Sequence, residues 1–321
     1  MRRQVILGIV SALIAVAATI HLMPPTDDFS PSNPLWNGLS RACEMLNLKA
    51  IEDLRGAGNL EPSSTAILIL APSKPFSDEE TGILRGFISR GGLLIIADDF
   101  GTGNELLSSL GLNLRLNGSI LLDPLFKYRS RRLPKIIQMA GELTPEVEEL
   151  ILNYATIITG SGFRTLAAST SFSFLDLNGN SEWDAGEPQG PLPVAAEAAY
   201  GGGRVIVISD PSIMINSMIG MGGNGRFIAH LIGGRSPLLD TSHWVPSPLS
   251  RAKGVVGAAL GAASIPEARY TLTALAATLI FKLEYKRVRV RMSRLEEVLR
   301  RHPDWDRDVL SRLEEEIALE G

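Results

Sequence analysis

The sequence is poor in the residues on which many catalytic and metal-binding sites depend. Its 321 residues include one cysteine, Cys43, and four histidines that show no HExxH or other ligand spacing. A single cysteine excludes a disulfide framework and any zinc or iron–sulfur site that needs several thiolates. Cys43 also lies in a helical stretch rather than at the strand-to-helix turn where a nucleophile is expected. We therefore assign no catalytic residue.

Aromatic residues are scarce as well, at 6% of the chain, although 45% of the residues are hydrophobic. The mean hydropathy of +0.13 must therefore come from aliphatic and small residues. Two arginines precede an apolar run from Val5 to Ile20, which predicts a membrane anchor over residues 1–23 with a cytoplasmic N-terminus. A cleaved signal peptide, with Ala15 and Ala17 near its cleavage site, is the alternative.

The net charge of −4 hides an uneven distribution of charge along the chain. Residues 24–250 carry 16 basic and 24 acidic residues, a net charge of −8, so the two ends are basic. Residues 251–285 are predicted to form an interfacial segment and a second membrane helix, since an apolar stretch there is followed by the basic cluster Lys286–Arg291. A buried core helix that leads into a solvated basic strand is the alternative.

These patterns predict four segments with different locations. Residues 1–23 anchor the chain, residues 24–250 form an exported domain, residues 251–285 return to the membrane, and residues 286–321 form a cytoplasmic basic segment and helical tail. Ser293–Arg301 and Trp305–Leu319 are the two amphipathic helices of that tail, whose apolar stripe is either simple packing or a docking face for a protein partner.

Residues 24–250 have the pattern of an α/β domain with an open, mostly parallel sheet. Buried strands are predicted at Thr65–Ala71 and Leu93–Ala97, and a capping box at Ser77–Glu80 begins a helix between them. A second helix is predicted to begin at Thr144–Glu146. Three glycines at 201–203 separate two further strand patterns and predict a hairpin.

A short loop has the oxygen-ligand spacing of a calcium site. Potential ligands occur at loop positions 1, 3, 5, 7, 9 and 12, and they are Asp176, Asn178, Asn180, Glu182, Asp184 and Glu187. This spacing predicts bound Ca²⁺. Ser181 replaces the usual glycine at position 6, and a turn without an ion is the alternative.

Polar residues also follow several predicted strands. Ligands gather outside the carboxyl ends of strands in an open parallel sheet. The predicted ligand-binding residues at these ends are Asp98, Asp99, Asn104, Asp210 and Ser212, and the ends also carry Ser73, Lys74 and Asn216. The alternative is that Asp98 and Asp99 cap a helix.

A basic island interrupts the acidic domain. It consists of Lys127, Arg129, Arg131, Arg132 and Lys135. A solvated loop is the simplest interpretation, and contact with lipid headgroups or an acidic partner is the alternative. Nothing in the charge pattern indicates nucleic-acid binding.

Several stretches resemble one known family. They are Pro31–Gly38 (PSNPLWNG), Phe76–Gly111 (especially GGLLIIADDFGTGNELLSSLG), Asp176–Gly190 with Pro193–Ala195, Gly203–Ser212 (GRVIVISDPS) and Arg300–Trp305 (RRHPDW). The sequence resembles uncharacterised, mainly archaeal membrane proteins whose ectodomain is similar to class I glutamine amidotransferases. The resemblance implies a flavodoxin-like sheet, an anchored topology and a link to MoxR-type AAA ATPases. It carries no activity over, because the catalytic cysteine of that fold is missing here.

Together these features predict a membrane-anchored, extracytoplasmic binding or scaffold module that calcium stabilises and that is not an enzyme. Its expected partners are the lipid bilayer and a protein at the cytoplasmic tail. Two alternatives stay open. One is an extracytoplasmic hydrolase that uses Asp98, Asp99 and Asp210, and the other is an accessory subunit of a transporter.

Overall fold

The longest aliphatic runs of the sequence form the middle of an eight-stranded sheet. A computed structural model describes residues 2–143 and 145–319, and the chain divides into two units, residues 1–252 and 253–321. The strands in chain order are β1 (Lys49–Ile51), β2 (Thr65–Leu70), β3 (Leu93–Ala97), β4 (Leu114–Leu116), β5 (Ile120–Leu122), β6 (Lys135–Ile136), β7 (Gln138–Met139), β8 (Leu150–Ile151), β9 (Ile158–Gly160), β10 (Arg164–Ala168), β11 (Phe174–Asp176), β12 (Pro193–Tyr200), β13 (Gly203–Ile208) and β14 (Ser236–Asp240).

Helices precede, connect and follow these strands along the chain, and helices form the C-terminal unit. The α-helices are α1 (Arg2–Leu22), α2 (Ser40–Leu46), α3 (Asp78–Ser89), α4 (Gly103–Ser109), α5 (Asn224–Ile232), α6 (Pro248–Ser264), α7 (Pro266–Arg301) and α8 (Arg307–Leu319). Short 3₁₀ helices occupy Leu54–Asn59, Pro62–Ser64 and Pro211–Met214.

The large sheet has the order β1-β14-β2-β3-β13-β12-β10-β7. The first five strands are parallel and the last three are antiparallel, which confirms a mixed α/β fold with a mostly parallel sheet. Numbered along the chain, the parallel strands have the order 1-5-2-3-4, which differs from the flavodoxin order 2-1-3-4-5. The last parallel strand lies between the first two, where Leu238 faces Lys49 on one side and Ile67 on the other.

Local signals in the sequence account for several element boundaries. The capping box of α3 is confirmed, because Ser77 Oγ accepts from Glu80 N at 3.3 Å and Glu80 Oε2 accepts from Ser77 N at 2.9 Å. The hairpin between β12 and β13 is confirmed too, with Tyr200 paired to Gly203. Its turn residue Gly201 has φ +58°, a conformation that favours glycine. β2 and β3 are buried along their whole length, as expected for central strands with both faces covered.

The prediction of membrane-spanning helices is wrong for the described residues. In the described part of the chain, every helix is too short or too polar to cross a bilayer. The apolar run Val5–Ile20 is 16 residues long and Tyr270–Phe281 is 12 residues long. At about 1.5 Å per residue these runs measure roughly 24 and 18 Å, less than the hydrocarbon thickness of about 30 Å.

Two further expectations about helices change. The predicted tail helix at Ser293–Arg301 is the last part of the continuous helix α7, whereas the second tail helix is confirmed as α8. The helix predicted from Thr144–Glu146 is wrong, because residues 145–149 form turns and bends before β8. Thr144 itself lies outside the described residues, as do Glu320 and Gly321 of the tail.

Candidate functional site

The carboxyl ends of the five parallel strands meet at one edge of the sheet, and residues 26–37 pack against that edge. We refer to residues 26–37 as the strap. Asn216, in the segment that follows β13, holds the strap in place. Its Nδ2 donates to Asn33 O at 3.0 Å and to Leu35 O at 2.6 Å, and Ser217 N donates to Trp36 O at 3.1 Å. The strap is therefore fixed to the part of the sheet where ligands usually bind.

Hydrogen bonds inside the strap fix its own shape. The buried Asn33 donates from Nδ2 to Asp27 O at 2.8 Å and to Asn37 Oδ1 at 3.1 Å. Asn37 in turn donates to the carboxylate of Asp28. Phe29 adopts φ +57°, and its N–H donates to Asn37 O at 2.9 Å. The strap is a hydrogen-bonded loop with a defined conformation.

A cleft of about 1060 Å³ lies at this edge, and we name it the strand-end cleft. Its walls are the strap and the carboxyl ends of β1, β2 and β14. The lining includes Thr26, Asp27, Asp28, Phe29, Ser30, Ser32, Ala50, Glu52, Ala71, Ser73, Lys74, Thr241, Ser242, Trp244 and Ser247. Three parallel strands thus contribute polar residues from their carboxyl ends. Ser73 and Lys74, which the sequence placed after β2, are among them.

Among the polar residues in the described lining of this cleft, acidic and hydroxyl-bearing side chains outnumber basic ones. Lys74 Nζ donates to Ser242 O at 2.9 Å, so its ammonium is already held by the wall. Burial raises the pKa of Asp27, but hydrogen bonds from Ser247 and Ser250 outweigh it and leave that pKa below its usual value. Asp27 is therefore ionised at neutral pH, and the cleft favours ligands that donate hydrogen bonds or carry positive charge.

A buried network beside the cleft joins β14 to the start of α3. His243 Nδ1 lies 2.7 Å from Asp240 Oδ2, and its Nε2 lies 3.7 Å from Glu80 Oε2. The imidazole stacks on Phe76, with ring centroids 3.8 Å apart. The backbone oxygen of His243 also accepts from the N–H groups of the cleft residues Ser73 and Lys74. This network makes the wall of the cleft rigid.

The second hollow is a pocket of about 270 Å³ on the other side of the strap, which we name the strap pocket. Its lining is Asp28, Phe29, Trp36, Asn37, Asp99, Asn153, Pro211, Ser212 and Ile215. Asp28 and Phe29 line both hollows. Burial, and to a smaller extent the charge of Asp98, raises the pKa of Asp99 to about 6.

The predicted ligand-binding residues separate into two groups. Asp99 and Ser212 line the strap pocket, whereas Asp98, Asn104 and Asp210 hold the backbone. Asp98 accepts from Gly101 N at 3.0 Å and from Gly103 N at 2.8 Å, so it caps the start of α4. Asn104 bonds the backbone N–H and carbonyl of Leu116, at 2.9 and 2.8 Å.

Asp210 caps the 3₁₀ helix after β13. It accepts from Ser212 N at 2.7 Å and from Asn153 N at 2.6 Å. Complete burial, followed by the charge of Asp99, raises the pKa of Asp210 to about 7. Capping, the alternative considered for Asp98 and Asp99, describes the contacts of Asp98, and Asp210 has the same role at the 3₁₀ helix after β13.

The predicted calcium site is corrected. Asp176 accepts from Gly179 N at 2.7 Å and Ser181 N at 2.9 Å, while Glu187 accepts from Leu177 N at 2.7 Å and Asp184 N at 3.1 Å. The side-chain amides of the other predicted ligands also point inward, because Asn178 and Asn180 both donate to Asp184 Oδ2. Glu182 pairs with Arg131 at 3.0 Å. Donor groups thus occupy the oxygens a cation would need, and no cluster of three or more acidic, histidine or cysteine side chains suits a metal ion anywhere in the described residues.

The sequence alone does not identify the strap as a part of the site. Pro31–Gly38 carries part of the family resemblance, and Asn216 lies after a predicted strand. Their contact joins residues more than 175 positions apart in the chain. No local pattern predicts such a contact, so the two hollows that the strap forms could not be anticipated.

Comparison with known proteins gives one family match and several distant structural similarities. A family model described as a domain of unknown function (DUF4350) matches residues 31–232. No curated protein gives a significant match. Similar solved structures include the mmIFT52 N-terminal domain, which is 14% identical with a TM-score of 0.42 over 52% of this chain and 77% of that chain.

Two glycosidases also show partial similarity. Exo-β-1,4-mannosidase Op5Man5 from Opitutaceae bacterium strain TAV5 is 14% identical, with a TM-score of 0.30 over 48% of this chain and 23% of that chain. A β-galactosidase from Bacillus circulans sp. alkalophilus is 11% identical, with a TM-score of 0.29 over 51% of this chain and 22% of that chain. This chain spans less than a quarter of either glycosidase, and similarity at this level says nothing about activity.

Proposed function

The chain belongs to the family described as a domain of unknown function (DUF4350), and we propose that its α/β unit is a binding module for a small polar ligand. The strand-end cleft is the binding site in this proposal. The observation that carries it is a cleft of about 1060 Å³ at the carboxyl ends of three parallel strands. Ligands of open α/β sheets bind at this edge, and the volume is at the upper end of that of small-molecule sites.

The polar character of the cleft supports the class of ligand. Asp27, Asp28 and Glu52 outnumber Lys74 among the described lining residues, and the hydroxyl-bearing residues add further acceptors and donors. A ligand with hydroxyl or amino groups satisfies these side chains, whereas an anionic ligand meets carboxylate repulsion. The aromatic residues Phe29 and Trp244 supply apolar contact beside the polar groups.

The rigidity of the walls supports ligand binding. The strap, the Lys74–Ser242 contact and the His243 network hold the lining residues before any ligand arrives. Preorganised walls increase affinity because less conformational entropy is lost on binding. The aspartates predicted for catalysis at this edge are, in contrast, largely bound to backbone donors.

A cleft-filling substitution tests the proposal. Ala50 lies on β1 in the cleft lining, and Ala50→Trp places an indole in the ligand volume. The full chain and this variant are screened by thermal shift against monosaccharides, amino acids and polyamines. We expect a probe that raises the Tm of the full chain but not of Ala50→Trp.

Ala185→Trp is the matched control, because Ala185 is also exposed but lies in the loop over residues 177–187. It should respond to the probe as the unmodified chain does. A probe that stabilises Ala50→Trp equally well shows that the cleft is not its site. A screen in which no probe of these classes stabilises the protein contradicts the proposal.

A hydrolase is the second candidate. Asp98 and Asp210 accept from backbone donors, whereas Asp99 and Asp28 both line the strap pocket, so these two carboxyl groups would carry the reaction. Acid–base hydrolysis needs one protonated and one ionised carboxyl group, and a pKa of about 6 suits Asp99 for the protonated role. Turnover of nitrophenyl glycosides or esters that disappears in Asp99→Asn would favour this candidate over the binding module.

A further inference from the structure

Large apolar side chains project into solvent from two loops at one end of the β5–β11 strand pair. The exposed fractions are 62% for Leu125, 36% for Phe126, 42% for Tyr128 and 55% for Phe172. The rings of Phe126 and Phe172 stack with centroids 6.0 Å apart, so the two loops form one surface. We name these four side chains, together with Lys127 and Arg129, the aromatic surface.

The structure holds these side chains outward. Asp123 is fully buried, and its Oδ1 accepts from Leu125 N at 2.9 Å and from Phe126 N at 2.7 Å. The hydroxyl of Thr170 donates to the other oxygen of Asp123 and accepts from Phe172 N at 3.2 Å. One buried carboxylate therefore anchors both loops. Because apolar surface left in water costs about 25 cal/mol per Å², a fixed patch of this kind indicates a partner.

The charge of the aromatic surface is opposite to that of the domain around it. Residues 24–250 carry a net charge of −8, yet residues 123–135 contain five basic residues and one acidic residue. Lys135 pairs with Glu149, and Arg131 pairs with Glu182.

Lys127 and Arg129 remain available to a partner. Both are exposed, and neither takes part in an ion pair with any described residue. The guanidinium of Arg129 lies 5.2 Å from the ring centroid of Tyr128. Two free cations thus stand among exposed aromatic rings on an acidic body.

We propose that the aromatic surface docks onto an anionic lipid surface. In that contact Phe126, Tyr128 and Phe172 enter the headgroup region, and Lys127 and Arg129 meet lipid phosphates. Aromatic rings prefer this interface, and a Lys or Arg near an anionic leaflet increases binding by about fivefold. An anionic surface repels the rest of the acidic domain, so this loop approaches first.

The observations favour lipid over an acidic protein. Aromatic and basic side chains alternate from Phe126 to Arg129, which lets each ammonium or guanidinium group reach the phosphates while the rings insert. Lysine is depleted in protein–protein interfaces, where it loses its hydration. The proposal concerns contact with a lipid surface and is independent of the ligand of the strand-end cleft.

Vesicle sedimentation with the full chain tests the docking. The vesicles are equimolar phosphatidylcholine and phosphatidylglycerol, and phosphatidylcholine alone serves for comparison. We expect the double variant Lys127→Glu/Arg129→Glu to bind the anionic vesicles at least about 30-fold more weakly than the unmodified chain. Phe172→Ser should weaken binding about tenfold by removing one inserted ring.

Matched controls separate the aromatic surface from other contacts of the chain with lipid. Phe100 is exposed to the same fraction as Phe172, 55%, so Phe100→Ser removes an equal apolar side chain elsewhere. Arg226→Glu reverses an exposed charge on α5. Both variants should bind as the unmodified chain does.

Hydrogen exchange locates the contact. Anionic vesicles should slow exchange over residues 124–130 and 171–173. Equal binding of the unmodified chain and the charge-reversal variant overturns the proposal, as does equal binding to phosphatidylcholine alone. Protection of these loops by polyglutamate, without protection by anionic vesicles, identifies an acidic protein surface as the partner and also overturns it.

Discussion

At the scale of single residues, two neighbouring aspartates have different environments at the end of β3. Asp98 is buried and accepts from Gly101 N and Gly103 N. Asp99 lines the strap pocket and accepts from Phe100 N at 2.7 Å. Successive side chains at the end of a strand point in opposite directions, so one aspartate enters the backbone of the next turn and the other faces the pocket.

The two aspartates therefore differ in what their removal should cost. Asp98→Ala leaves two backbone N–H groups without their charged acceptor, and we expect the free energy of unfolding to fall by about 3 kcal/mol. Asp99→Ala removes a half-buried carboxylate whose ionisation burial disfavours, so it should not lower the free energy of unfolding at neutral pH. Urea unfolding at neutral pH measures both values. Equal losses in the two variants would show that Asp98 does not act as the cap.

Which of these aspartates accepts from the backbone and which lines the pocket was only partly predictable from the sequence. The sequence placed Asp98, Asp99 and Asp210 at strand ends, and capping was the alternative interpretation for Asp98 and Asp99. Which carboxylate oxygen faces a donor depends on the path of the chain after each strand. The donor can also be distant in sequence, since Asn153 N donates to Asp210 from 57 positions away. The donors of such distant contacts leave no mark in the local pattern.

At the scale of elements, the strap depends on one glycine at its end. A Cβ atom on Gly38 would lie 1.9 Å from Asn33 O, well inside van der Waals contact. Asn33 is the residue that joins the two halves of the strap. A side chain at position 38 must therefore displace Asn33 and open the walls of both hollows.

Two glycine substitutions test the strap with opposite expected signs. Gly38→Ala should lower the free energy of unfolding by about 3 kcal/mol or more, because the clash is with backbone. Gly82→Ala is the control in the exposed part of α3, where nothing lies within 4 Å of the added carbon. It should raise stability by up to about 1 kcal/mol through helix propensity. A neutral Gly38→Ala, measured by urea unfolding, would mean that the strap tolerates displacement.

Elements with local signals were predicted well, and their arrangement was not. β2, β3, the capping box of α3 and the Gly201 turn all follow from residues within a few positions of one another. The position of β14 between β1 and β2 depends on pairing across most of the domain. Strand order is set by such long-range packing, which explains why a flavodoxin-like order was expected and a different one is found.

At the scale of the whole molecule, the length of the apolar runs bears on membrane insertion, and the distribution of acidic residues bears on stability. The apolar runs near the two ends suggested membrane spans, but the described helices are too short in apolar length for that role. Residues 24–250 are acidic, and two of their carboxyl groups, Asp99 and Asp210, lie at strand ends where burial raises their pKa. Stability should therefore depend strongly on pH.

The raised pKa values predict that stability falls as the pH rises through the weakly acidic range. Asp99 and Asp210 have pKa values of about 6 and about 7 in the folded protein. In the unfolded chain both titrate near 3.9. Between about pH 4 and pH 7 the folded state thus binds more protons than the unfolded state, so unfolding becomes easier as pH increases.

The opposite dependence operates at lower pH and sets an optimum. Burial raises the pKa of Glu80, but hydrogen bonds from Ser77 and the charges of His243 and Arg55 outweigh it and lower that pKa. Stability from Glu80 is therefore present above the pKa of the unfolded chain and is lost as the pH falls below about 4. We expect maximal stability near about pH 5, with a loss on the order of 3 kcal/mol by pH 8.

Asp99→Asn isolates the source of this alkaline loss. It removes one of the aspartates whose pKa burial raises and also the charge that raises the pKa of Asp210, so stability should decline less between about pH 5 and pH 8. Glu52→Gln removes an exposed carboxylate of the cleft and should leave the slope unchanged. Urea midpoints across this range give both slopes. A protein whose stability increases steadily toward pH 8, with Asp99→Asn parallel to it, would show that both aspartates are ionised in the folded state without cost.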